Sequence, residues 1–347
     1  LQQRLPSLLG RSDVRVQAAP CVGRCDQAPA VQVGQWPLGH ATTDSVAALS
    51  AQASEDFEQK WALPLSVQRF VATESVSLEG YVAQGGYALV QQIASGQRDT
   101  ESVIQALEHA GLRGLGGAGF PAGRKWRIVR GQPAPRLMAV NIDEGEPGTF
   151  KDRWYLERDP HRFLEGLLVA AQVVGCSAVY IYLRDEYHHA RRLLTQALAD
   201  LQNSQLFAGP PQEQLHPLGG PGEARVGGQF NLPVIELRRG AGAYICGEES
   251  AMIESIEGKR GEPRLRPPYI AEVGLFGRPT LEHNFETLYW VRDIVQKGGD
   301  WFASHGRHGR KGLRSFSVSG RVKLPGVKLA PAGITLRELI DEFCGGM

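Results

Sequence analysis

Between about residues 101 and 300 the sequence alternates helical and extended patterns, and this alternation restricts the fold more than any other feature. Thr100–His109 reads as a helix opened by the polar cluster Asp99, Thr100, Glu101 and Ser102. Leu137–Val140 is a short buried strand. Asp159 followed by Pro160 is an N-cap with proline at the first helical position, and the apolar helix it opens runs to about Val174. Ala178–Leu183 is the next strand, and Tyr187–Leu201 the next helix, with Leu194, Leu198 and Leu201 on one face. Val234–Leu237 and Glu248–Glu257 repeat the pair. Strands alternating with helices imply an α/β sandwich on a largely parallel sheet.

Around this unit, residues 1–52 read as a small piece: an apolar helix start, an extended Val14–Val16, the Cys21–Cys25 loop and a strand at Val31–Val33. Residues 53–104 read as a linker with a short helix over Tyr81–Ser95, and 105–300 as the main domain. In 301–347, Ser315–Val318 with Val322 and Leu324, then a helix at Leu336–Cys344, suggest a small β-rich module that stops abruptly. A length of 347 residues fits two or three such units. The chain opens at Leu1 without methionine, signal-peptide or transit-peptide character, so residue 1 is taken as an internal position of a longer protein.

Charge and apolar content exclude several classes. Lysine plus arginine (38) nearly cancel aspartate plus glutamate (37), which argues against a general nucleic-acid binder. The longest apolar run, Phe163–Cys176, carries Glu165, Gly166 and Gln172 and reads as a buried helix, not a membrane span. Five cysteines, an odd count, favour a reducing compartment over a disulfide scaffold, and the chain is expected to be cytoplasmic, with a place at the periphery of a membrane complex left open.

Glycine is the outlier, at 42 of 347 residues (about 12%, against a usual value near 7%), and it gathers in discrete loops where backbone can approach a ligand. Residues 111–126, GLRGLGGAGFPAGRKW, contain Gly114, Gly116, Gly117 and Gly119. They satisfy GxGxxG, but the preceding residues are helical, where the Rossmann fingerprint needs a strand. Consecutive N–H groups there can still face an anion, Lys125 can neutralise phosphate and Phe120 offers a stacking face; a tight connection between packed elements is the alternative. Residues 141–153, NIDEGEPGTFKDR, follow the Leu137–Val140 strand, so Asn141, Asp143, Glu144 and Glu146 sit at its carboxyl end, where open α/β sheets place ligands. Their clustered carboxylates suit hydroxyl donors or a metal, or else form a solvated acidic loop. Residues 240–251, GAGAYICGEESA, bring Tyr244, Gly247, Glu248 and Glu249 to a helix start, which by itself favours acidic side chains. Prolines stiffen 257–269, so Arg266 and Tyr269 can stand at a rim, of a ligand site or equally of a protein interface.

Together, GLRGLGGAGFPAGRKW, NIDEGEPGTFKDR, GAGAYICGEESA and RPPYIAEVGLFGRPTLEHNFETL (266–288) closely resemble one flavoprotein family. It comprises the NADH-binding subunit of respiratory complex I, the flavin subunit of NAD-reducing hydrogenases and the β subunit of NAD-dependent formate dehydrogenases, the last the most similar. The resemblance implies a Rossmann-like FMN-binding sandwich, an N-terminal thioredoxin-like piece and the start of a C-terminal β-grasp module. It implies FMN held by Gly114, Gly116, Gly117, Lys125, Asn141, Asp143, Glu144, Tyr244, Gly247, Glu248, Glu249 and Asn284. NAD(H) would enter beside Phe120, Glu146, Glu249, Arg266 and Tyr269. The sequence departs from the family at Leu115, Arg266, Tyr269 and His283, where arginine, lysine, phenylalanine and asparagine are common.

Cys21 and Cys25 resemble half of the four-thiolate set of a [2Fe–2S] domain, and the family's [4Fe–4S] cysteines are expected beyond residue 347. The implied reaction is hydride transfer between nicotinamide and flavin, with single electrons then passing to iron–sulfur clusters in partner subunits. No catalytic acid or base is expected, because the flavin carries the chemistry. Two rival readings are a two-domain Rossmann dehydrogenase without flavin and a scaffold subunit that kept the fold but lost FMN.

Overall fold

The computed structural model describes residues 15–53, 75–204, 206, 207 and 233–347. The helix start read before Gly10, Val14 and residues 54–74 of the linker lie outside the described residues. The N-terminal part contains β1 (Val31–Val33), β2 (Trp36–Leu38) and α1 (Thr43–Ala53). The main body starts with α2 (Leu78–Ala83), α3 (Ala88–Ala94), α4 (Thr100–Ala110), α5 (Ala122–Arg130), β3 (Arg136–Ile142), α6 (Lys151–Arg158) and α7 (Pro160–Val174). It continues through β4 (Cys176–Leu183), α8 (His188–Asn203), β5 (Val234–Arg239), α9 (Glu249–Ile256) and β6 (Thr280–Asn284). After α10 (Phe285–Tyr289), α11 (Val291–Lys297) and α12 (Gly299–Ala303) come β7 (Leu313–Val318), β8 (Gly326–Pro331) and α13 (Leu336–Glu338).

The expected parallel sheet is present. Its four strands lie in the order β5-β4-β3-β6, every neighbouring pair parallel. Side chains alternate across it, so β3 and β4 feed two cores. Met138, Val140, Ile142, Val179, Ile181 and Leu183 join the larger core with α7. Leu137, Ala139, Ala178, Tyr180 and Tyr182 meet Met252, Ile253 and Ile256 of α9 on the other face. The apolar helix α7 is buried in protein: Glu165 accepts from Tyr81 Oη at 2.6 Å and faces Arg292 at 3.3 Å. Gly166 touches α10 so closely that a Cβ there would overlap the Leu288 carbonyl. Among the described residues no helix is long and apolar enough to cross a membrane.

Four local expectations change. The helix over Tyr81–Ser95 is two helices, α2 and α3, because Gly85 (φ 77°) and Tyr87 (φ 63°) turn left-handed between them. Val16 is not in a strand. Val322 and Leu324 lie between β7 and β8, and the amides of Lys323 and Leu324 bond instead to the carbonyls of Gly346 and Cys344. β6, with the polar sequence TLEHN, was not expected from pattern, and it extends the sheet beside β3.

Both flanking pieces are docked on the main body. Arg153, buried on α6, donates to Glu157 (2.7 Å), Asp26 (3.2 Å) and the Gly23 carbonyl (2.7 Å), and Arg24 completes the network on Glu157. Arg184 ties the carbonyls of Cys21 and Glu144 together. At the other end Ser317 Oγ accepts from the Phe150 amide (2.9 Å), and Ser315 meets Tyr155 and Glu286.

Candidate functional site

A cleft of about 500 Å³ opens at the carboxyl ends of β3 and β6. Three loop segments and the end of β6 make its walls, and a further segment places Arg266 at its mouth.

The first wall is the glycine loop between α4 and α5. It is a helix-to-helix connection, so no strand leads into Gly114, in keeping with the helical residues read before it. Gly111 ends α4 in the left-handed region (φ 66°), and an Arg113–Pro121 bridge with the Gly114 N–H to Phe120 carbonyl bond (2.9 Å) folds the loop back on itself. Gly117 (φ 121°) has no neighbour within 4 Å of where a Cβ would stand, and Gly116 would meet Asn284 Cβ at 3.0 Å. The loop thus presents bare backbone to the cleft. Helix α5 is stapled to β6: Lys125 Nζ reaches Glu282 Oε2 and its carbonyl at 3.0 Å each, and Trp126 Nε1 donates to His283 Nε2 at 2.7 Å. Burial, with the Lys125 charge alongside, pushes the His283 imidazole well below its ordinary pKa.

The second wall is the turn after β3. Parallel register sets Asn141 opposite Asn284. Both amides brace the cleft: Asn141 Nδ2 donates to the Gly247 carbonyl (2.9 Å), and Asn284 Nδ2 to Asp152 (2.9 Å) while its Oδ1 caps α10. Burial pushes Asp143 up to about 7, opposed by Arg184. Burial also pushes Glu144 up to about 7, with Asp152 adding to it. Lys151, in ion pairs with Asp152 (2.6 Å) and Glu286 (3.2 Å), resists the effect of burial because those carboxylates hold its pKa above the ordinary value.

The third wall is the 240–251 segment. Gly247, Glu248 and Glu249 line the cleft. Glu248 Oε2 caps α9 on the amides of Ser250 and Ala251 (2.9 Å each), so helix-start chemistry accounts for half of that carboxylate. Arg266 Nη2 bridges Glu248 (2.5 Å) and Glu249 (2.7 Å) across the mouth. Burial raises Glu249, with Glu282 reinforcing the shift.

Of the residues singled out in the sequence, Gly114, Gly116, Gly117, Phe120, Lys125, Asn141, Asp143, Glu144, Glu146, Gly247, Glu248, Glu249, Arg266 and Asn284 all line this one cleft. Tyr244 and Tyr269 do not. They stand outside, 67% and 58% exposed, with Tyr244 packed near Gly145. Lys151, Asp152, Glu282 and His283 line the cleft and were missed. The first two lie within the quoted NIDEGEPGTFKDR segment; the other two depend on β6, which has no pattern of its own. Cys21 and Cys25 do not line the cleft but sit behind the turn after β3, near Gly148, their sulfurs 3.7 Å apart. Among the described residues no group of three or more His, Cys, Asp or Glu side chains could hold a metal.

Fold and site together define an open α/β protein with a nucleotide-sized cleft at the carboxyl end of its sheet, walled by a glycine loop of non-Rossmann connectivity. Comparison with known proteins gives the particular family. Residues 107–293 match the family described as the Nuo51 FMN-binding domain, and the chain belongs to it. It is 42% identical over 250 residues to the NADH-ubiquinone oxidoreductase 51 kDa subunit, mitochondrial, of Neurospora crassa, covering 71% of this chain and 48% of that protein. It is 41% identical over 275 residues to NADH dehydrogenase [ubiquinone] flavoprotein 1, mitochondrial, of Dictyostelium discoideum, covering 78% and 54%. A chain of the NAD+-reducing [NiFe]-hydrogenase in its H2-reduced state superposes with a TM-score of 0.76 at 32% identity, covering 97% of this chain and 57% of that one. The chain therefore spans about half the length of these relatives.

Proposed function

We propose that the cleft binds flavin mononucleotide, with a nicotinamide dinucleotide at its mouth, and that the chain is the NAD(H)-oxidising or NAD+-reducing flavin subunit of a multi-subunit oxidoreductase. The observation that carries this is convergence: bare glycine backbone, two asparagines in register and an acidic turn meet in one cavity of nucleotide size.

The residues fit the group. Gly117 leaves open space for a phosphate or ring edge where a Cβ would stand, and Gly114 and Gly116 add bare backbone to the same wall. Lys125 and Lys151 supply positive charge. Asp143 carries a buried oxygen without a partner, which suits a polyhydroxyl chain. Glu144, Gly247, Glu248, Glu249, Asn141 and Asn284 complete the wall, with Tyr244 just outside it. When bound, FMN supplies two-electron acceptance and one-electron release.

The protein's own tasks are to bind, orient and exclude water. Phe120, 39% exposed, gives the dinucleotide a stacking face, and Tyr269 offers a second at the rim. Arg266 must exchange its contacts with Glu248 and Glu249 for contacts with the incoming dinucleotide, which makes the mouth charge-gated. Glu146 lines the same opening.

At finer grain we read the N-terminal piece as thioredoxin-like, with Cys21 and Cys25 as half of a [2Fe–2S] site, and 301–347 as the start of a β-grasp module. The partners are iron–sulfur subunits of a cytoplasmic or membrane-peripheral complex, and formate dehydrogenase β is the nearest specific reading. The experiment is direct. Purified protein should release FMN on denaturation and reduce ferricyanide with NADH. A colourless protein that takes up no flavin would leave the scaffold reading in its place.

A further inference from the structure

Asp143 directly follows β3 and is only 8% exposed. No hydrogen bond to its carboxyl is made by any described residue; its Oδ2 is sealed and unpartnered, while the residue lines the cleft. Among the described residues Arg184, directly after β4, is the opposite charge that acts on it, and that guanidinium is spent elsewhere. Its donors go to the Glu144 carbonyl (2.8 Å), the Cys21 carbonyl and Glu186 (3.1 Å). Glu186, after β4, and Glu146, on the same turn, add negative charge. From the third wall the Gly247 backbone closes on it: a Cβ at Gly247 would sit 3.9 Å from Oδ2. Its neighbour Glu144 differs, because its carboxylate already accepts from Tyr187 Oη (3.0 Å) and the Asp152 amide (3.2 Å). Asp143 is thus the buried cleft carboxyl with unused acceptor capacity, and an ionised form there has no protein donor at its sealed Oδ2.

We propose that Asp143 is a proton-linked ligand contact: its carboxyl holds a proton in the ligand-free protein and releases it to solvent when a bound ligand brings a hydroxyl or N–H donor to it. The bookkeeping is closed. The acid loses H+ to buffer, no covalent bond to the ligand forms, and the carboxylate accepts the ligand's donor. The position of its pKa, about 7, places the exchange near neutral pH. A ligand offering only acceptors would leave the proton in place, so the linkage reports which chemistry meets Asp143. The inference rests on the flavin reading for the ligand, whose ribityl hydroxyls and ring N–H are such donors.

The test uses the whole chain stripped of flavin and riboflavin as probe, since riboflavin has no titrating phosphate. Calorimetry in two buffers of different ionisation enthalpy should show release of nearly one proton per riboflavin at about pH 6 and almost none at about pH 8. Below about pH 7, affinity should increase with rising pH by up to roughly tenfold per unit. In Asp143→Asn both effects should vanish. Infrared difference spectra of the unaltered protein should lose a protonated-carboxyl band on binding, which guards against a variant that does not fold. Binding without proton release, proton uptake, or a linkage that survives Asp143→Asn would overturn the proposal while leaving the flavin reading intact. Failure to bind riboflavin and FMN alike would remove the flavin reading, and this inference with it.

Discussion

Lys125 has two jobs to separate: it pairs with Glu282 at 3.0 Å, and it is the cation expected to face a phosphate. Their side chains are 21% and 11% exposed, so the pair is mostly buried. At 3.0 Å and an effective dielectric constant of about 20, the gross attraction is about 5 kcal/mol. Desolvation of both ions offsets most of that, leaving a net contribution of about 1 kcal/mol. Lys125→Met should nonetheless cost about 2–3 kcal/mol of folding stability, because Glu282 is left buried without its cation. The double variant Lys125→Met/Glu282→Leu should recover most of the loss in a denaturant titration. FMN affinity should not recover. Without the ammonium, FMN should bind about 10- to 100-fold more weakly in both variants, about 1.4–2.8 kcal/mol, whereas riboflavin should change little. Fluorescence titration with the two ligands reads this directly. Equal losses for FMN and riboflavin, or tight FMN binding by the double variant, would refute the phosphate role and leave Lys125 as a staple between α5 and β6.

Gly166→Ala should cost at least about 3 kcal/mol in thermal or chemical unfolding, since its Cβ would fall on the Leu288 carbonyl between two packed helices. Arg153→Met should cost about 3 kcal/mol by stripping Glu157 and Asp26 of a buried partner, and Arg153→Met/Glu157→Gln should lose more, because buried Arg24 then has no paired carboxylate, read in the same denaturation assay. Asp143→Asn should stabilise the ligand-free protein above neutral pH. Its carboxyl is raised from 3.8 to about 7 by folding, so the ionised form opposes folding. That penalty is absent below about pH 4, grows up to about pH 7 and is then constant at roughly 2–4 kcal/mol. Unfolding curves that diverge in the opposite direction would contradict the sign. Glu249→Ala should alter NADH turnover more than FMN content, measured as ferricyanide reduction against released flavin; the reverse pattern would move Glu249 to the flavin.

The sequence alone determined the strands and helices whose periodicity is strong, and with them the parallel sheet. β3, β4, β5, α4, α7, α8 and α9 stand within a few residues of where their patterns put them, because long apolar runs and caps are local signals. Most of the cleft was legible too, since glycine clusters and the turn after β3 are contiguous segments. Only the tertiary structure decided β6. Its TLEHN carries no alternation that marks a strand, and it becomes one by pairing with β3, which brings Glu282, His283 and Asn284 into the cleft. It also decided protonation and pairing. Asp143 and Glu144 are adjacent carboxyls of similar chemistry, but one is left without a donor and the other is held by Tyr187 and two amides. Local pattern cannot show that, because burial and the Tyr187 partner come from a segment 43 residues away, and the folding of the intervening turn decides which carboxyl meets the α6 amides. The outward placement of Tyr244 and Tyr269 has the same cause: spacing sets which residues lie in a loop, and packing sets where their side chains go.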